Sequence, residues 1–280
     1  MRFALKSSFF RLFRTRLFIW VIVFSLLTGI GVFNSVCGNE MMMYTLPSLG
    51  RPRFFDNDFL ILCLKDLIYV FPFGAAVFCM MFTGSDISFR AVNNKIATGT
   101  PRVMIFFADA AVAALTALFS VIVSAAALFL LVKFVPVKES VEINSKVILT
   151  VLFVAVIVIA FVLFFTMLQV FFSNKLFGVI ISMFLIPALM SYPGHINYIL
   201  DQPYRYSYKD ETSGETVWEL NPEYVGGVER NALTFSLELN PYYGVLMREP
   251  GNAKCAAAAG AVIVLSAAAG ALAISRKEFT

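Results

Sequence analysis

The chain has 280 residues, of which 59% are apolar and only 14% charged, and its mean hydropathy is +0.81. A soluble domain carries roughly a quarter charged residues to wet its surface, so this composition excludes one and makes lipid the solvent over much of the chain. The formal charge of +4 does not point to nucleic acid, because the basic residues flank apolar runs instead of forming one patch.

Residues 1–16 are basic and aromatic. Arg11, Arg14 and Arg16 alternate with Phe9, Phe10, Leu12 and Phe13, so cations can reach headgroups while aromatics enter the interface. The same residues also read as a topology anchor, and the two readings are compatible. The apolar run behind them reaches Val32 or beyond, with no small-x-small cleavage site close by, which argues for an uncleaved first span.

Runs of about 20 apolar residues predict six membrane helices: Leu17–Phe33, Asp66–Phe82, Val103–Val132, Val147–Phe172, Leu176–Tyr192 and Ala253–Ser275. Pro72 interrupts the second, which neighbouring helices can tolerate. The runs lack the alternation that lipid-facing strands need, so the expected fold is an all-α polytopic membrane protein. Orientation follows from Lys and Arg. With the N-terminus in the cytosol, eleven lie inside: five in 2–16, then Arg90, Lys95, Arg102, Lys175, Arg276 and Lys277. Six lie outside (Arg51, Arg53, Lys65, Lys133, Lys138 and Lys146) once the long 193–254 stretch, whose charges carry little weight, is set aside. Both termini are therefore expected in the cytosol.

This divides the chain into an interfacial helix (1–16), five spans (17–193) with a cytosolic loop at 84–103, an extracytoplasmic segment (194–252), and a last span with a tail (253–280). Residues 34–65 form a first outer loop. Within 194–252, the alternation in Leu233–Leu239 fits a strand or an interfacial helix. The last span is mostly Ala, Gly and Ser, which lets backbones approach closely, so it is expected against protein and not lipid.

The motifs exclude several chemistries. His195 is the single histidine, which rules out an HExxH zinc site, and neither GxSxG nor GxxxxGK[ST] occurs. His195 reads as an interfacial loop residue after Pro193-Gly194. No metal or cofactor site is expected. The cysteines show no CxxC pairing, and only Cys37 and Cys255, near membrane surfaces, leave a bridge open as a reading. Asp109 is an acid inside the third run. It reads either as a structural partner of Arg102 or Lys175, or as an intramembrane functional group, and Gln169 in the fourth run is similarly ambiguous.

The loop Gly84–Val103 carries the most information. Ser85 or Asp86 can cap a short helix; Phe89, Val92 and Ile96 recur on one face; Gly99 and Pro101 stop it. A short amphipathic helix and a plain connector are both compatible with this. The pattern Phe89-Arg90, Asn94-Lys95, Gly99 and Arg102 resembles the loop after the second span in type-2 ATP-binding-cassette permeases, with Ala91-Val92 standing where that family has Gly-Thr. The basic N-terminal stretch, the long outer segment and Asn240-Pro241-Tyr242-Tyr243 agree with the resemblance.

The resemblance implies that this loop is a coupling helix docking on a cytosolic ATPase subunit, where ATP and magnesium bind, with none bound by this chain. It implies as partners that ATPase, a second permease copy or homologue, and membrane lipid. It also implies substrate export across a prokaryotic cytoplasmic membrane, without catalysis by this chain. Two rivals are a membrane scaffold or sensor that binds a ligand through 194–252, and an intramembrane enzyme.

Overall fold

In hydrocarbon a backbone can hydrogen-bond only to itself, so each continuous apolar run closes into a helix. The computed structural model describes residues 2–44, 57–88, 91–134, 142–172, 176–209, 216–243 and 253–277. In chain order these form α1 (Arg2–Arg14), α2 (Leu17–Tyr44), α3 (Asn57–Cys79), a π-helical turn (Met80–Gly84), α4 (Ser85–Ser88), α5 (Ala91–Ala97) and α6 (Arg102–Phe134). Then come α7 (Ser145–Phe172), α8 (Phe177–Leu200), strands β1 (Arg205–Lys209) and β2 (Thr216–Leu220), α9 (Gly227–Leu239) and α10 (Ala253–Arg276). Among the described residues six helices are long and apolar enough to cross a membrane, and the chain is an all-α polytopic membrane protein.

Three span boundaries differ from the sequence reading. The second span starts at Asn57, so Lys65 and Asp66 lie within it, and Lys65 is buried. The fifth runs on to Leu200 through Pro193, Gly194 and His195. A proline removes one hydrogen bond from a helix without obliging it to end. His195 is therefore an exposed helical residue and not a loop residue. The first span's helix, α2, reaches Tyr44, so the expected outer loop 34–65 contains two helix ends, and its middle, 45–56, lies outside the described residues.

The fourth and second spans, α7 and α3, are the most buried; the fifth and sixth are peripheral. On α3 the buried residues Leu60, Leu64, Leu67, Phe71, Ala75 and Cys79 recur every three or four positions and face α7. Small residues set the closest approaches. A Cβ on Gly29 of α2 would lie 3.2 Å from the Ser124 carbonyl oxygen of α6, where the Ser124 hydroxyl donates to the Ser25 carbonyl at 2.6 Å. On α10 one stripe, Cys255, Ala259, Ser266, Gly270 and Ile274, is buried, while Val264, Leu265 and Leu272 are exposed. Within the chain, one face of this helix, mostly of small residues, serves the contact.

Cys37 and Cys255 are free thiols, as are Cys63 and Cys79. At one end of the bundle, β1 and β2 pair antiparallel in the register Arg205↔Leu220. Leu233–Leu239 falls in helix α9, which resolves the choice left by its alternation. Asn240 fastens this segment down: its amide donates to the Leu189 carbonyl at 3.0 Å, and its Oδ1 accepts the Tyr242 N–H at 2.8 Å. Tyr242 is buried and stacks on Tyr69. At the opposite, basic end, Arg102 donates to the Lys277 carbonyl at 2.6 Å, and the Lys277 ammonium donates to the Val170 carbonyl.

Candidate functional site

The basic end holds a buried ion network assembled from four separate elements. Helix α1 supplies Ser8 and Arg11, which share a face with buried Ala4 and Leu12 by their spacing of three or four. The opposite face of α1 leaves Phe3, Phe10 and Phe13 exposed. So Arg11 turns inward, unlike Arg14 and Arg16, which stay exposed as the amphipathic pattern requires.

The short α4 supplies Asp86, α5 supplies Lys95, and α6 supplies Asp109. Both carboxylates are buried. Arg11 forms an ion pair with Asp86 and lies 3.5 Å from Asp109 Oδ1. The Lys95 ammonium donates to Asp86 Oδ2 at 2.8 Å and stands 3.7 Å from Asp109 Oδ1. The Ser8 hydroxyl donates to Asp109 Oδ1 at 2.5 Å. The Arg11 guanidinium also lies 3.9 Å over the ring of Phe82, which belongs to the π turn.

Two acids and two bases make the cluster formally neutral, which is what allows its burial: a lone charge in such a place costs several kcal/mol, of the order of the Coulomb gain from pairing. Burial pushes both cations toward their neutral forms, lowering Arg11 and Lys95 from their ordinary values, and the Asp109 carboxylate opposes that shift in each. The arrangement is a clamp. It ties α1, the start of the loop after the second span, the loop helix itself and the third span into one body.

The loop helix is described in two stretches, Ser85–Ser88 and Ala91–Ala97. Ser85 does not cap it; its hydroxyl donates back to the Met81 carbonyl. α5 ends as its sequence requires. Gly99 has a φ of +83°, its N–H donates to the Ile96 carbonyl at 2.8 Å, and the Thr100 N–H reaches the Lys95 carbonyl at 3.1 Å. This paired closure satisfies the last carbonyls and needs a left-handed residue, which glycine supplies without strain. Val92 is buried against Ile105, Phe106 and Ile274, with Ile96 beside them, so the apolar face rests on the ends of α6 and α10. Asn94, Ala97, Thr98 and Gly99 remain exposed on the other side.

Of the residues singled out from sequence, Lys95 joins the network and Asn94 faces outward, while Gly99 closes the helix and Arg102 braces Lys277. Phe89 and Arg90 lie outside the described residues, as does Lys175. Asp109 is not held by Arg102; its partners are Ser8, Arg11 and Lys95. Gln169 is buried, and its amide lies over Gly178 of α8, where a Cβ would come within 2.5 Å of Nε2.

Sequence reasoning missed Asp86 and Ser8 as partners of this site, and Arg11 as an inward residue. The available signal was the helical spacing of Ala4, Ser8, Arg11 and Leu12. Among the described residues no group of His, Cys, Asp and Glu has the makings of a metal site. In comparison with known proteins, no family model, no curated protein and no solved structure matches this chain.

Proposed function

We propose that this chain is the membrane-spanning subunit of a type-2 ATP-binding-cassette transporter, driven by a separate cytosolic ATPase through the loop between its second and third spans. The observation that carries the reading is the clamp of Asp86, Lys95, Arg11 and Asp109. A force applied to the exposed side of α5 would pass through Lys95 to α3, α1 and α6 together, as a lever requires. The exposed side of α5 and the turn that ends it, with Asn94, Thr98 and Gly99, is the surface left for the motor. The reading puts the basic end, with both termini, in the cytosol of a prokaryotic cell, consistent with the excess of Lys and Arg there. It also calls for a second permease copy or homologue. The resemblance of the loop sequence supports the same assignment.

The test is purification from native membranes in mild detergent. A co-purifying ATPase is expected, and its affinity should fall roughly tenfold or more, about 1.4 kcal/mol, when Asn94→Trp and Thr98→Glu are introduced on the docking face. Purification without any nucleotide-hydrolysing partner would sink the proposal. A second reading, a sensor of an outside ligand, draws support from the folded far-end segment of hairpin and docked α9. It predicts that deleting residues 205–220 abolishes the response while leaving any ATPase association intact. The intramembrane-enzyme reading draws less support, because Asp109 is already engaged by three partners.

A further inference from the structure

Between α2, α3 and α6, with α7 as its floor, lies an open groove of about 490 Å³. Its walls include Trp20, Phe24, Val77, Ala117 and Val162, and the space they leave is comparable with one lipid acyl chain. The two hydroxyls that line it are already occupied. Thr116 donates to the Val112 carbonyl at 2.8 Å and Ser120 to the Thr116 carbonyl at 2.9 Å. Nothing in the groove therefore asks for a polar ligand. From Leu17 to Phe24 it follows about two turns of helix, roughly 10 Å along the axis.

What lies at the mouth decides the occupant. Leu17 and Trp20 line the groove at the first turn of α2, directly after the elbow that carries Arg14 and Arg16. Both arginines are exposed, and Arg16 holds a left-handed φ of +58° where α1 turns into α2. No acidic residue occurs in the sequence before Glu40, so nothing on α1 or at the start of α2 neutralises these cations. Trp20 is itself 66% exposed, the position in which indole marks a membrane–water boundary. An apolar slot of acyl-chain size, followed from its mouth into an elbow with two exposed guanidiniums, matches an amphiphile with a negative head.

We infer that this groove is a binding site for an anionic phospholipid, with one acyl chain between α2, α3 and α6 and the phosphate at Arg14 and Arg16. Guanidinium suits that headgroup because it can donate two parallel hydrogen bonds to phosphate oxygens. The inference needs only the membrane-spanning fold, and it stands or falls apart from the transporter assignment.

The chain holds two tryptophans, and Trp218 sits far off in β2, so Trp218→Phe leaves Trp20 as the sole reporter. In nanodiscs of that full-length variant, phosphatidylglycerol brominated on its acyl chains is expected to quench Trp20 several-fold more than phosphatidylcholine brominated likewise at the same mole fraction. R14Q/R16Q, a surface change that leaves the core untouched, should erase the preference. Val77→Phe, which fills the groove and keeps both arginines, should erase it as well, which separates a seated lipid from anionic lipid gathered loosely around the cations. Equal quenching by the two lipids would overturn the site, and so would a preference that survives either variant. Absence of quenching by both would overturn it too, showing the groove covered by a second copy or closed.

Discussion

The ammonium of Lys95 on α5 donates to Asp86 Oδ2 on α4 across 2.8 Å. That bond bridges the two halves of the loop after the second span. Arg11, approaching the same carboxylate from α1, makes the junction three-way.

Removing Arg11 should therefore cost more than removing an ordinary surface arginine. Arg11→Met leaves two buried carboxylates facing Lys95 alone, and breaking a buried ionic group in this way costs about 3–5 kcal/mol. Thermal unfolding in detergent should show a lowered Tm, and limited proteolysis should cut within 2–16. Adding Asp86→Asn, which removes the acid Arg11 pairs with, should recover a good part of the loss. A double variant as unstable as the single one would show that the two residues do not act as a pair.

The pH dependence at Lys95 has a definite sign. Burial lowers its pKa in the folded chain, so between that value and the ordinary 10.5 the unfolded chain holds more protons. Stability then rises with pH across this window instead of falling. Lys95→Arg keeps its charge throughout and should remove the rise, as read from melting curves between about pH 8 and 11.

Gly270 should not tolerate a larger residue. A Cβ there would lie 2.2 Å from the ring of Phe106, which is itself buried under Val92 of α5. Gly270→Ala forces that ring aside and should destabilise the fold by about 1–3 kcal/mol. If α5 rests on Phe106 as described, the same variant should raise amide exchange over Ala91–Ala97.

Asn240→Ala removes the donor to Leu189 and the acceptor for Tyr242 together. Leaving the Leu189 carbonyl and the Tyr242 N–H without these bonds should cost about 1–3 kcal/mol. The loss should concentrate in the far-end segment, so amide exchange over Gly227–Leu239 should rise while the spans stay protected.

The number of spans and their rough places were legible because hydrocarbon leaves so few solutions for a backbone. Their ends were not. Lys65-Asp66 and Pro193-Gly194 look like stops on composition, yet both continue as helix. The end of α5 was readable at Gly99, since only the left-handed cap suits a glycine before Thr100-Pro101. The network was half legible. Asp109 stood out as a buried acid, but its expected partners were the cations at neighbouring span ends. Its actual ones come from α1 and α5, which no local spacing relates to α6. Ser8 and Arg11 carried a helical face that the alternation of Phe and Arg concealed.

The π turn at Met80–Gly84 acts as a shim. By adding a residue to one turn it rotates everything downstream of Cys79 by about 100° relative to an unbroken α-helix. That rotation is what aims Asp86 at α1, while Phe82 slides beneath Arg11. Deleting Met81 alone removes that extra residue, so the turn should relax to ordinary helix with the carboxylate still facing Arg11, whereas inserting one alanine after Gly84 should swing it about a quarter of the way around its cylinder, uncoupling Arg11 without changing a single charged residue.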